Sequence, residues 1–102
     1  MRFIENVFVS DSIEDINTVV YSLKRDIPLF GIYVICADES GKCEIMPSAE
    51  FLGRFGKSEE KTVCGLASGK RAAYSLFADM ISYGEKQGWK ADDFGKNILK
   101  EQ

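Results

Sequence analysis

Between Lys61 and Gly88 the chain reads KTVCGLASGKRAAYSLFADMISYGEKQG, a short apolar strand pattern that runs through two glycines into an amphipathic helix. Thr62 to Leu66 carry the β-branched and apolar residues of a strand. Ala72, Ala73, Leu76, Phe77, Met80 and Ile81 then recur at three- and four-residue intervals, the period of a helix with one buried stripe. Ser68 is the expected N-cap. Gly88 suits a left-handed helix stop, with Trp89 placed to fold back on the last turn. A strand and a helix joined this tightly must pack on each other, so the chain is committed to a sheet covered by helices.

The upstream half supplies further strands and a second helix. Residues 2–9, RFIENVFV, place Phe3, Val7 and Val9 at odd positions and fit a first strand, although Glu5 and Asn6 weaken the alternation. In SDSIEDINTVVYSLKRDIP the residues Ile13, Ile16, Val19, Val20 and Leu23 form a helical stripe. Asp11, Glu14 and Asp15 lie in its first turn and Lys24 and Arg25 in its last, which complements the helix dipole. Ser10 or Asp11 is the expected cap and Pro28 forbids continuation. Leu29 to Ala37, LFGIYVICA, is apolar on both alternating sets and reads as a strand covered on both faces. Asp38 to Lys42 is turn chemistry, and Cys43 to Met46 alternates until Pro47, giving a β-hairpin. A turn centred on Glu39 and Ser40 sets Cys36 opposite Cys43, and one centred a residue later sets Cys36 opposite Ile45. Ser48 to Phe55 suits a single helical turn. Asp92 to Leu99, with Phe94 and Ile98 four apart, suits a short docked helix that Gly95 weakens.

The expected architecture is therefore one α+β domain over residues 1–102. Its order is β-α-β-β-β-α plus a short C-terminal helix, with two helices on one face of a mostly antiparallel sheet of three or four strands. At 102 residues the chain suffices for one core and no second one. In that arrangement Tyr33, Ile35 and Met46 face away from the helices. Together with Phe51 and Phe55 they would form an exposed apolar interface.

Composition narrows the chemistry. The chain has no histidine, which removes the usual neutral-pH base and the commonest metal ligand. Ser-His and Cys-His catalysis are excluded. The three cysteines Cys36, Cys43 and Cys64 form no C-x-x-C pair and have no zinc-site spacing, so no metal and no cofactor are expected. Buried thiols in strands account for them. Cys64, just before a positively charged helix start, is the one whose thiol pKa such a setting would lower. The adjacent carboxylates Glu14 with Asp15, Glu59 with Glu60 and Asp92 with Asp93 suit capping and solubility, because acid-base pairs must converge in a cleft.

The sharpest chemical hint is Gly65 to Arg71, GLASGKR. It lacks the residue count and the hydroxyl of a phosphate loop. What remains is a helix start with Gly65, Ser68, Gly69, Lys70 and Arg71 grouped for an anion, a phosphate or carboxylate. The plain structural reading is a tight connection with solvated basic residues. Net charge is -3 and the pI near 4.9, which makes nucleic acid an unlikely main partner. A nucleic-acid accessory role would need Arg54, Lys57, Lys61, Lys70 and Arg71 to form one stripe. No apolar run approaches the roughly 20 residues of a membrane span, and no signal-peptide layout opens the sequence. The expectation is a cytoplasmic, non-enzymatic domain without a membrane segment that binds a protein partner or a second copy of itself. Binding of a small anionic ligand at the Gly65 to Arg71 helix start is the alternative.

Overall fold

The structure, a computed structural model, describes residues 2–53 and 61–101. Strands β1 (Arg2–Val9), β2 (Ile32–Ala37), β3 (Cys43–Pro47) and β4 (Thr62–Ser68) form one sheet in the order β1-β4-β2-β3. β2 runs antiparallel to both β3 and β4, and β1 runs parallel to β4, so the sheet is mixed. The helices are α1 (Ile16–Lys24), α2 (Ser48–Gly53), α3 (Lys70–Lys86) and α4 (Phe94–Lys100), the last entered through a 3-10 turn at Ala91–Asp93. The α+β class and the element order agree with the sequence reading.

The helices do not share a face. Val19 and Leu23 of α1 and Phe51 of α2 pack with Ile32, Val34, Cys36 and Met46. Ala73, Leu76 and Met80 of α3, with Phe94 and Ile98 of α4, pack with Ile35 and Ala37 on the other side. This corrects the one-faced arrangement, and β2 itself explains it. Its residues from Val34 to Ala37 are all buried, which only a strand covered on both faces achieves.

Local chemistry set most boundaries, moved two of them and shifted the hairpin register. α1 begins at Ile16, later than expected, because the Asp15 carboxylate accepts from the Thr18 amide at 3.1 Å and the Thr18 hydroxyl at 2.7 Å. Ser10 and Ser12 are engaged elsewhere, the Ser12 hydroxyl donating to Ser10 Oγ at 2.9 Å. β2 begins at Ile32 rather than Leu29, because Gly31 at φ +82 turns the chain just before it. In the hairpin Ala37 pairs with Cys43 and Cys36 with Glu44, a register between the two expected ones. Its loop is a tight turn in which Gly41 N-H donates to Asp38 O at 2.9 Å and Gly41 takes φ +89. Asp38 organises this loop by accepting from the Ser40 hydroxyl at 2.6 Å and from the Ser40 and Lys42 amides, each at 2.9 Å. The Ser40 hydroxyl bond, with those amides, holds the Asp38 carboxyl below the ordinary carboxylate range.

The end of α3 is as read. Gly88 takes φ +87, its amide donates to Glu85 O at 3.0 Å, and the Trp89 amide donates to Gly84 O at 2.9 Å. This Schellman closure folds Trp89 onto Tyr83 and Phe94.

Candidate functional site

β4 carries an irregularity that decides the role of Gly65. Ile35 pairs with Gly65 but Cys36 with Val63, so Cys64 is an extra residue in the ladder to β2. Cys64 packs on the α3 side, and Gly65 meets α3 as well. A Cβ at Gly65 would stand 3.1 Å from Met80 Sδ and 3.3 Å from Leu76 Cδ2. At Gly65, then, the side chains of helix α3 lie directly on the strand. Gly65 is buried in mid-strand and does not belong to the helix start.

Ser68, Gly69, Lys70 and Arg71 do come together at the start of α3, with two corrections. The N-cap is Gly69, at φ +97, and no side chain caps the helix. Two backbone donors in the turn are already taken, since Ser68 N-H donates to Ser12 Oγ at 2.9 Å and Gly69 N-H to Gly31 O at 2.7 Å. Lys70 and Arg71 are exposed. The nearby groove, bounded by Ser10, Ala72 and Ser75, carries the carboxylates of Asp11 and Asp79, an unfavourable setting for an anion.

The basic stripe is divided. Lys61 and Lys70 lie beyond opposite ends of β4, a strand about 20 Å long at the usual rise per residue, and Lys61 pairs with Glu44 at 2.8 Å. Arg54 and Lys57 lie outside the described residues, as does Phe55.

The expected sheet-face interface is filled. Ile35, Met46 and Phe51 are buried and Tyr33 is half-buried. Ile35 and Tyr33 belong to the core that α3 closes, whereas Met46 and Phe51 belong to the core shared with α1, so these residues occupy two different cores.

The thiol chemistry is also corrected. Burial pushes the Cys64 thiol up to about 12, with Cys43 and Cys36 adding to the effect. Burial raises Cys43 too, with the Asp38 charge contributing. The environment of Cys64 is apolar and protonates it, so proximity in sequence to basic residues did not carry over to space. Among the described residues no group of His, Cys, Asp or Glu is placed to hold a metal ion. Among them, too, no helix is long and apolar enough to cross a membrane.

The surface presents a different feature. Phe30 is fully exposed, at 107% of its reference area, while its neighbour Leu29 packs into the α1 core. Phe30 occupies the second position of a turn closed by Ile32 N-H donating to Leu29 O at 3.2 Å, with Gly31 in the left-handed region as a type II turn requires. The turn is fixed on both sides. On one, buried Ser48 accepts from Leu29 N-H at 3.1 Å and donates to Leu29 O at 2.9 Å. On the other, the Gly31 carbonyl holds Gly69. Phe30 and Lys70 flank that bonded pair and so stand on one rim. Tyr74, one helical turn beyond Lys70, is exposed, as is Ile27 before the turn. Sequence reasoning missed Phe30 because the run from Leu29 to Ala37 suggests an uninterrupted strand. Gly31 after Phe30 was the available signal, since a glycine between large apolar residues marks a turn.

Comparison of the chain with known protein families, curated proteins and solved structures found no match.

Proposed function

We propose that the protein is a non-enzymatic binding domain that docks a protein partner through the Phe30 turn, with Ile27, Lys70 and Tyr74 around it. The observation that carries this reading is Phe30 itself. A large aromatic side chain is held outside the core on a turn secured by three hydrogen bonds. Because the turn is rigid, binding orders little further chain, and buried aromatics are the commonest energetic anchors of interfaces. The lack of histidine and the protonated thiol of Cys64 support a role without catalysis. The reading extends to a cytoplasmic location, which three free cysteines favour.

The first partner to test is a second copy. Sedimentation velocity over a concentration series, on the wild type and Phe30→Asp, separates the cases. A wild-type dimer lost in Phe30→Asp assigns the surface to self-association. A wild-type monomer directs the search to other proteins, with binding lost in Phe30→Asp as the criterion. Partner binding unchanged in Phe30→Asp would sink the reading.

A further inference from the structure

The start of α3 is held from two sides. Ser68 N-H donates to Ser12 Oγ at 2.9 Å, just past the end of β1, and Gly69 N-H donates to Gly31 O at 2.7 Å in the Phe30 turn. β1 and β2 flank β4, and Val9 pairs with Leu66 while Ile32 pairs with Ser68, so both supports lie at one end of the sheet. They stand about two strand spacings apart, roughly 10 Å. On the β2 side Phe30 projects fully, with Lys70 and Tyr74 exposed beside it. On the β1 side the surface is hollow, a groove of about 280 Å³ floored by Val9, Ala72 and Leu76 and edged by the carboxylates of Asp11 and Asp79. Lys70 and Asp79 are half a turn out of phase at roughly 3.6 residues per turn, which puts the cation on the Phe30 side of α3 and the carboxylate on the groove side. Among the described residues none of Lys70, Asp11 and Asp79 forms an ion pair.

We propose that the groove takes Phe30 of a second copy, in a two-fold dimer whose axis passes by the start of α3. This rests on the docking role of Phe30 and supplies the surface that receives it. The chain carries one aromatic knob and one groove at the same end of its sheet, on opposite sides of one helix start. A two-fold rotation about that start exchanges them, so each Phe30 enters the other copy's groove and no knob is left to add a third chain. The chemistry matches in two parts. The floor is apolar, and the volume suits one aromatic side chain rather than a drug-sized ligand. Lys70, beside each knob, arrives at the rim formed by the other copy's Asp11 and Asp79, and each charge gains the partner it lacks within its own chain. The carboxylates that disfavour an anion in this groove favour the cation that travels with Phe30.

Sedimentation velocity on the full chain, over a concentration series reaching the millimolar range, reads the assembly of wild type, Lys70→Glu, Asp79→Lys and an equal mixture of the two variants. Both positions are exposed, and the urea midpoint of each variant should stay near wild type. The wild type should form dimers and nothing larger, weakened by added salt. Each variant alone should dimerise at least about tenfold more weakly, because like charges then meet in both contacts. The mixture should recover wild-type affinity, since a carboxylate at position 70 meets an ammonium at position 79 in one contact and the original pair forms in the other. A dimer unmoved by Asp79→Lys, a mixture as weak as its components, or a mass that grows past two copies would each overturn the proposal. A wild-type monomer throughout also overturns it and leaves Phe30 to other protein partners. Phe30→Asp keeps the two readings apart. A dimer lost in Phe30→Asp but unmoved by Asp79→Lys removes the groove and leaves the Phe30 surface standing, whereas a dimer unmoved by Phe30→Asp removes both.

Discussion

Gly95 of α4 lies so close to Gly41 in the β2–β3 turn that a methyl group on Gly95 would fall on the Gly41 carbonyl oxygen and 3.1 Å from Cys43 Sγ. The atom in the way is backbone, in a turn fixed by Asp38, so it cannot move aside cheaply. Alanine at position 95 gains up to about 1 kcal/mol of helix propensity but meets an overpacking cost of about 1–3 kcal/mol. Gly95→Ala is therefore expected to lower the urea midpoint, the opposite of what its place in a helix suggests. A midpoint raised above wild type would show that α4 can step away from the hairpin.

Gly65 offers a graded counterpart. An added Cβ there meets Met80 Sδ at 3.1 Å, Ile35 Cδ1 at 3.2 Å and Leu76 Cδ2 at 3.3 Å, all ends of flexible side chains. Gly65→Ala should cost about 1 kcal/mol, less than a clash with backbone. Chemical denaturation measures the loss. In an anion titration the same variant should behave as wild type, because Gly65 is remote from the helix start.

Cys64 makes stability depend on alkaline pH. Its thiol is raised from an ordinary value of 9.0 to about 12 in the folded protein. Above pH 9 the unfolded chain loses this proton while the folded chain keeps it, so unfolding is favoured as pH rises. The contribution is fully present below pH 9 and is lost progressively toward 12. Between pH 8 and 10 the wild type should lose about 1 kcal/mol more stability than Cys64→Ala, on the scale of 1.4 kcal/mol per pH unit. Equal pH slopes for the two proteins in urea unfolding would contradict the burial argument.

Much of this architecture was legible because the relevant signals are local. The α3 stripe, the Gly88 stop and the hairpin follow from periodicity and turn chemistry within a few residues. The placement of helices was not, because the burial of α1 and α3 against opposite faces of β2 depends on long-range pairing. Alternating apolar residues such as Val34 and Ile35 announce two covered faces without saying which helix covers which. Gly65 misled for a related reason. Its role arises from the extra residue Cys64 in the ladder, and a bulge leaves no mark in hydrophobic period. Cys64 itself lies a few residues from Lys70 in sequence yet points into the core, where desolvation outweighs any distant charge.

Asp15 caps α1 through Thr18, and the hydrogen bond from the Thr18 hydroxyl, aided by its amide, lowers the Asp15 carboxyl below 3.8. A carboxylate depressed in this way adds stability above its unfolded value, and the addition is lost as pH falls through the lower folded value. Asp15→Ala should reduce the thermal midpoint at neutral pH, and Asp15→Asn, which keeps the acceptor, should reduce it less. The gap between wild type and Asp15→Ala should close below about pH 3.8. A gap that persists in acid would locate the effect elsewhere than in the ionised cap.

The Phe30 turn separates stability from binding. Phe30 makes no buried contact, so Phe30→Ala should leave the thermal midpoint within about 0.5 kcal/mol equivalent of wild type. Ser48 is the reverse case. It is almost fully buried and holds both the amide and the carbonyl of Leu29. Ser48→Ala leaves the Leu29 amide without its partner beside the core and the Leu29 carbonyl with the Ile32 N-H alone, and should cost about 1–3 kcal/mol. It should also loosen the turn, so amide exchange at Phe30 and Ile32 should quicken relative to the strand centre at Val34. If docking relies on a fixed aromatic, partner affinity falls in both variants, through lost contact in Phe30→Ala and through added ordering cost in Ser48→Ala. A Ser48→Ala protein with faster exchange but undiminished affinity would show that the partner recognises Phe30 without needing the turn held rigid.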